Sequence, residues 1–196
     1  RGKAMQAAVP VGEGSMIAVL GLKTEKVIEW IQNRKDKNGI CEIANDNAEG
    51  QVIISGNKES INSLQITLKK NKIKSLPLKV SAPFHCSLMK PAAESMKEKI
   101  NNTKFNKPLF KIINNVTAKA ENDTNIIKSL LIDQIFSTVK WRESLINMSN
   151  NGIKNFIEIG PGKALIGMVK RTVKNANCFS INSIADIKNF KNELKK

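Results

Sequence analysis

The sequence has 196 residues, of which 41% are hydrophobic and 25% charged, and this composition is typical of a globular chain with a sizeable core. No apolar run approaches the roughly 20 residues of a membrane-spanning helix, and no signal-peptide pattern opens the chain. The formal charge of +15 comes mostly from dispersed lysines, since the arginines are only Arg1, Arg34, Arg142 and Arg171. Because guanidinium groups are scarce, we expect solvated lysine faces and no nucleic-acid binding.

The chain carries three cysteines, Cys41, Cys86 and Cys178, an odd number at spacings that fit no metal site. Free thiols are typical of reducing compartments, so we expect a cytoplasmic protein without a structural metal. The opening residues "RGKAMQAAV" have the pattern of the middle or end of a helix. We therefore expect the chain to be a fragment of a longer polypeptide.

Residues 12–80 have the pattern of a ferredoxin-like subdomain, β-α-β-β-α-β. Thr24 is the expected N-cap of its first helix, and "DNAEG" is the expected turn between its middle strands. Many unrelated functions use this arrangement, so it does not identify one. Apolar periodicity predicts strands over 14–22, 40–45, 51–56 and 73–81, and helices over 24–36 and 58–71.

The rest of the chain alternates strands with helices, which predicts a parallel α/β sheet. We expect residues 1–11 and 81–196 to form part of an α/β core beside the subdomain of residues 12–80. The predicted strands are 108–116, 153–160 and 178–182, and the predicted helices are 89–102, 124–137, 140–151, the run after Pro161 and the C-terminal segment.

The segment "SAPFHCSLMKPAA", residues 81–93, contains the single histidine, His85, between a predicted strand and a predicted helix. An imidazole titrates near neutrality and can act as a general base. A lone histidine is more often structural. From the residues alone, both roles remain open.

Five segments in order resemble the malonyl-CoA:acyl-carrier-protein transacylases of bacterial fatty acid synthesis. The resemblance implies a partial α/β-hydrolase-like acyltransferase core with an inserted ferredoxin-like subdomain. It implies that a serine takes malonyl from coenzyme A and passes it to the phosphopantetheine thiol of acyl carrier protein. It also implies a monomer that needs no cofactor, metal, membrane or nucleic acid. The segments are "RGKAMQAAVPVGEGSMIAVLGL", "NDNAEGQVIISG", "APFHCSLMKPAA", "FKIINNV" and "IEIGPGKALIGMVKR".

The resemblance assigns the catalytic base to His85. It assigns to Gln134 the backbone carbonyl that orients the imidazole, so the Gln134 side chain is expected to tolerate change. Arg1 matches the arginine that holds the free carboxylate of malonyl. A guanidinium can grip a carboxylate with two parallel hydrogen bonds, which would favour malonyl over acetyl.

The resemblance also implies further substrate-binding residues. Met5 would form an apolar wall beside Arg1, although a plain core role remains open. Phe84 matches an "FH" pattern that accompanies malonyl selection. Asn45 and Gln51 match a block that faces the family's active-site cleft, and turn hydrogen bonding remains an alternative for both.

The family's G-H-S-x-G motif does not occur in this sequence, nor does its N-terminal glutamine loop that helps build the oxyanion hole. We therefore expect a chain with the base and the carboxylate clamp, inactive by itself. One alternative is a non-catalytic relative that binds acyl carrier protein. An RNA-binding ferredoxin-like domain is disfavoured, because "SMIAVLGL" and "QVIISG" lack the aromatic residues that stack on bases. The "GPGK" segment, residues 160–163, is expected to form a structural turn.

Overall fold

The computed structural model describes residues 1–35 and 37–193, which contain both helices and strands. The predicted α/β class is confirmed. The chain divides into two compact units, Arg1–Ser144 and a second that begins at Leu145. In the described ranges, the longest helices have 13 residues, and none has the length and apolarity of a membrane span.

The first unit contains a four-stranded antiparallel sheet with the strand order β2-β3-β1-β4. Helix α2 follows β1 and helix α3 follows β3, so the element order is β-α-β-β-α-β. Its elements are β1 (Gly14–Leu20), α2 (Thr24–Gln32), β2 (Cys41–Ala48), β3 (Gln51–Asn57), α3 (Lys58–Lys70) and β4 (Ser75–Pro77).

Successive side chains of β1 point to opposite faces of the sheet, and both faces are buried. Ile17 and Val19 pack with the apolar residues of α2 and α3. Met16 and Ala18 lie on the opposite face, where Phe84 packs against them. The loop that contains the candidate base is therefore seated on the sheet. The helix-side core comprises Ile17, Val19, Val27, Cys41, Val52, Ile54, Ile61, Leu64 and Leu68.

The structure corrects three local predictions. Lys23 occupies the N-cap position of α2 without a side-chain capping bond, and Thr24 is the first helical residue, so the predicted N-cap was wrong. Strand β2 runs on to Ala48 through two register irregularities, which leaves only Glu49 and Gly50 for the predicted turn. Strand β4 ends at Pro77, well short of residue 81: the Leu78 amide still donates to the Met16 carbonyl, but the Val80 amide then turns back to the carbonyl of Leu78.

Among the described residues before 151, the other elements are four α-helices, one 3₁₀ turn and a small hairpin. Helices α1, α4 and α5 enclose a second core of Met5, Val9, Ala82, Met89, Ala92, Ala93 and Ile135. The predicted long strand over 108–116 was wrong: only β5 forms there, and it pairs antiparallel with β6. The elements are α1 (Gly2–Ala7), a 3₁₀ turn (Ser87–Met89), α4 (Lys90–Asn102), β5 (Ile112–Ile113), β6 (Ala120–Glu121), α5 (Thr124–Asp133) and α6 (Trp141–Asn150).

In the second unit, β7 (Asn155–Ile159) and β8 (Asn177–Ile181) pair in parallel, as predicted for 153–160 and 178–182. Helix α7 (Ala164–Thr172) connects them, and α8 (Ile184–Glu193) follows. The Glu158 carboxylate accepts hydrogen bonds from two amides in the first turn of α7, those of Leu165 and Ile166. Gly160 and Gly162 have φ values of 135° and 94°, so the turn before α7 favours glycine.

Candidate active site

His85 lies in a tight loop between the sheet and the 3₁₀ turn that precedes α4. Its φ of 60° is in the left-handed region, which a non-glycine residue occupies at a cost of about 1–3 kcal/mol. Around it, the Cys86 thiol donates a hydrogen bond to the Pro83 carbonyl at 3.1 Å, and the Met89 amide donates to the Cys86 carbonyl at 2.9 Å. These contacts hold the strained residue in place.

A main-chain carbonyl, that of Gln134, faces the His85 ring. Its Nδ1 lies 2.9 Å from the carbonyl oxygen of Gln134. A carbonyl oxygen can only accept, so Nδ1 carries the hydrogen and Nε2 keeps its lone pair. An imidazole in this tautomer can take a proton at Nε2.

Gln134 stands at the C-terminal end of α5, which explains why its carbonyl is available. The last carbonyls of a helix have no partner within the helix and lie at the negative end of its dipole. Gln134 is the C-cap of α5, and its own amide donates to Leu130. Helix α5 thus presents an acceptor that also favours a protonated imidazole.

The electrostatic surroundings keep His85 neutral at pH 7. Burial lowers the pKa of the imidazole, the hydrogen bond to Gln134 raises it, and the positive charge of Arg1 lowers it further. The net shift is downward from the ordinary value of 6.5. A neutral imidazole is the form that a general base requires.

Arg1 and His85 both form a hydrogen bond with Gln134. Arg1 Nη1 donates to the side-chain oxygen of Gln134 at 2.8 Å, and the amide nitrogen of Gln134 donates to the Asn115 side-chain oxygen. Asn115 lies in the quoted "FKIINNV" segment, but sequence reasoning gave it no role. The Gln134 side chain therefore has two polar partners, which the expectation of a tolerant side chain did not include.

The apolar candidates lie next to this group. Met5 is one helical turn from Arg1 and is 6% exposed in the core enclosed by α1, α4 and α5. Phe84 is half-buried and packs against both that core and the sheet. Both side chains support the loop or helix that carries a site residue, and their contact with substrate stays a prediction.

The two polar candidates from the sheet lie on adjacent strands. Asn45 is in β2 at a register irregularity and forms a parallel bridge with Val139. Gln51 opens β3 and pairs with Leu20 and Ala48. It is four residues, about 13 Å, from Ser55, the β3 residue that contacts the His85 loop. A binding role for either side chain stays a prediction.

Strand β2 contacts the loop that carries His85 and the segment that follows Gln134, a feature that sequence reasoning missed. The Glu42 carboxylate accepts from the Ser87 amide at 2.8 Å and from the Ser87 hydroxyl at 2.7 Å. Asp46 is 8% exposed and receives hydrogen bonds from Arg142 Nε at 2.9 Å and Nη2 at 2.8 Å. These partners are 45 and 96 residues apart in sequence, so no local pattern could reveal them.

Taken together, an α/β fold, a histidine held by a helix-terminal carbonyl and an arginine that contacts the same residue form an arrangement suited to an acyl-transfer centre. Such a centre needs a base for a nucleophile and a cation for an acidic acyl group. Comparison with known proteins agrees, since residues 1–194 match the acyl transferase domain family. The chain belongs to this family, and the resemblance inferred from its sequence is confirmed.

The individual proteins that the chain matches are malonyl transacylases. A malonyl CoA-acyl carrier protein transacylase from Haemophilus influenzae is 39% identical over 186 residues, covering 94% of this chain and 59% of the relative. The crystal structure of a malonyl CoA-acyl carrier protein transacylase from Clostridium perfringens has a TM-score of 0.93 at 36% identity, covering 99% of this chain and 61% of that one. The holo complex PlMCAT:AntF, a type II PKS acyl-carrier protein with its malonyl-transacylase, has a TM-score of 0.92 at 35% identity, over 97% and 62%.

Proposed function

We propose that this chain supplies the base and the carboxylate clamp of a malonyl-CoA:acyl-carrier-protein transacylase. The observation that carries the proposal is the Gln134 junction, where the main-chain carbonyl accepts from His85 and the side chain accepts from Arg1. One residue thus brings a base and a cation together. The names of the relatives support the malonyl group and acyl carrier protein as substrates.

In the proposed reaction, His85 Nε2 takes the proton of a serine hydroxyl as its oxygen attacks the malonyl thioester carbonyl. The C–S bond then breaks, and the imidazolium returns the proton to the coenzyme A sulfur. In the second half, Nε2 takes the proton of the phosphopantetheine thiol, and the thiol sulfur attacks the malonyl-serine. The serine oxygen leaves and recovers the proton.

Arg1 is proposed to bind the free carboxylate of the malonyl group. Its guanidinium offers a fork of N–H donors that matches a carboxylate, whereas an acetyl group presents no charge there. Loss of such a pair should weaken malonyl transfer and leave acetyl transfer intact. This selectivity distinguishes a clamp from a surface arginine.

The proposed architecture is an α/β-hydrolase-like core, residues 1–11 and 81–196, that carries the ferredoxin-like unit of residues 12–80. The β-α-β-β-α-β order and the parallel β7–β8 pair support it. In this proposal the nucleophile belongs to a segment with the family's G-x-S-x-G motif, which does not occur in the given sequence. The same absence favours one second candidate, a non-catalytic partner of acyl carrier protein.

The test uses an extended enzyme, defined as this chain joined at Arg1 to the part of the Haemophilus influenzae relative that precedes the matched region. Mass spectrometry after mixing with malonyl-CoA should show malonyl-serine, and transfer to holo acyl carrier protein should follow. Absence of the malonyl adduct, with binding to acyl carrier protein retained, would favour the non-catalytic candidate.

Two variants test the residue roles. His85→Asn should slow acylation by several orders of magnitude and still fold, because asparagine tolerates a positive φ better than alanine. Arg1→Ala should lose malonyl transfer while acetyl transfer persists. A malonyl-to-acetyl rate ratio equal to that of the unsubstituted enzyme would reject the clamp.

A further inference from the structure

The relative position of His85 and the Gln134 carbonyl is set by contacts that lie outside the reacting groups. The two residues are 49 apart in sequence and sit on separate loops, so their 2.9 Å hydrogen bond requires both loops to be held. The His85 loop precedes α4, and the Gln134 loop follows α5. Both loops are fixed to the same strand, β2.

The first loop is attached to β2 by Glu42. Its carboxylate accepts both the amide and the hydroxyl of Ser87, two residues after the base. Ser55, the cross-strand partner of Glu42 on β3, donates to the buried Cys86 thiol at 3.6 Å. Paired residues of adjacent strands therefore hold the residues that directly follow His85.

The second loop docks along the open edge of β2. The Thr138 hydroxyl donates to the Ile43 carbonyl at 2.6 Å. The Val139 amide donates to Ala44 at 2.8 Å, and the Asp46 amide donates to Val139 at 3.0 Å. These bonds extend the sheet by a parallel bridge, five residues after Gln134.

The ion pair of Asp46 and Arg142 closes this attachment. Arg142 contacts the carboxylate through two of its nitrogens, a geometry that fixes direction as well as distance. The pair is largely shielded from solvent, because Asp46 is buried and Arg142 is half-buried. It lies at the end of the docked loop and holds the loop against β2.

We propose that Glu42 and the Asp46–Arg142 ion pair are positioning residues for acyl transfer: from one strand, β2, they hold the base and its orienting carbonyl at hydrogen-bond distance. The inference rests on the proposed function for its catalytic consequence. Its geometric part concerns only the His85–Gln134 bond and can be measured without turnover.

The experiment compares Glu42→Gln, Asp46→Asn and Arg142→Lys in the extended enzyme. Glutamine and asparagine keep the size of the side chain and lose its charge, and lysine keeps the charge but cannot make the two-nitrogen contact. The matched control is Glu143→Gln, which removes an exposed carboxylate, paired with Lys140, from the residue next to Arg142.

Two measurements are made on each variant, and circular dichroism gives the folded fraction by which the rates are corrected. The first is the single-turnover rate of malonyl-serine formation. The second is the Nδ1–H proton resonance of His85 in ¹⁵N-histidine-labelled protein, assigned by its loss in His85→Asn. Charged and polar groups facing the ring, Arg1 and the carbonyls of Gln134 and Ser137, are unchanged in every variant.

Glu42→Gln and Asp46→Asn should each slow acylation by about tenfold or more, because small displacements of a catalytic group have large effects on rate. KM for malonyl-CoA should change less than about twofold, since neither residue contacts the clamp. The His85 resonance should shift or broaden. Arg142→Lys should have the same effects in weaker form, and Glu143→Gln should show none.

Variants with lower melting temperatures but unchanged acylation rates and an unchanged His85 resonance would overturn the proposal. Should Asp46→Asn fail to fold, Arg142→Lys decides by the same criteria. Should the unsubstituted extended enzyme form no malonyl-serine, the proposed function fails on its own. The His85 resonance then decides the geometric inference: a shift in Glu42→Gln or Arg142→Lys supports it, and identical spectra reject it.

Discussion

Removing the Gln134 side chain separates the two roles of this residue. In Gln134→Ala, the main-chain carbonyl 2.9 Å from His85 Nδ1 remains, so the base keeps its orientation. The side-chain oxygen 2.8 Å from Arg1 Nη1 is lost, and so is the link to Asn115. The substitution should therefore weaken the malonyl clamp and leave proton transfer intact.

The size of the effect follows from the hydrogen bond that is lost. A hydrogen bond to a charged group contributes roughly 1.5–3 kcal/mol when shielded. Because Arg1 is exposed, water replaces part of this bond, so we take about 1 kcal/mol. At about 1.4 kcal/mol per factor of ten, kcat/KM for malonyl-CoA should fall about fivefold. The rate with acetyl-CoA should stay within about twofold.

A second variant perturbs Arg1 more strongly in the same direction. Gln134→Glu would place a carboxylate where the amide oxygen now accepts from Arg1, and this group would compete with malonyl for the guanidinium. We expect a larger malonyl-specific loss than with alanine.

The assay measures kcat/KM for both thioesters in the extended enzyme, with Gln32→Ala, at the end of α2, as the control. Equal losses for malonyl and acetyl would refute the separation of roles. Such a result would mean that the side chain also supports the base.

Three further predictions concern pH, substrate size and packing. Because burial lowers the pKa of His85, the acylation rate should fall as the pH is lowered, with a midpoint below pH 6.5. Arg1→Gln should raise that midpoint, because it removes a positive charge near the imidazole. A midpoint above pH 6.5 in the unsubstituted enzyme would contradict this prediction. Phe84→Ala should increase the rate with methylmalonyl-CoA relative to malonyl-CoA, and an unchanged ratio would remove Phe84 from substrate selection. Gly56→Ala should destabilise the fold by several kcal/mol in urea unfolding, because a methyl group there would overlap the main chain of Ile40, and an unchanged midpoint would refute that clash.

Short-range sequence patterns predicted much of the fold. The predicted helix 58–71 is α3, Lys58–Lys70, because Ile61, Leu64 and Leu68 repeat at the helical period on one buried face. The strand prediction over 108–116 failed because its pattern required neighbours on both faces: Leu109 and Phe110 are 93% and 83% exposed. Local hydrophobicity reports a tendency to be buried, and burial itself depends on what packs there.

In the candidate site, too, some residues were found from the sequence and others only from the structure. The resemblance placed His85, Gln134 and Arg1, and the structure brings all three together. Asn115, Glu42, Asp46 and Arg142 were missed, because an amide or carboxylate gains a partner only through the tertiary fold. Asn45 and Gln51 came from one quoted segment, yet the β-hairpin places them on different strands.

The sequence alone determined the α/β class and the order of the β-α-β-β-α-β unit, because periodicity and turn residues are local properties. Its resemblance to the transacylases supplied the choice of His85. Only the tertiary structure decided how His85 is held. Its left-handed φ, its tautomer and its hydrogen bond to a carbonyl 49 residues away follow from packing on β2. Contacts at such separations depend on closing long loops, and the energy that closes them is spread over the whole core.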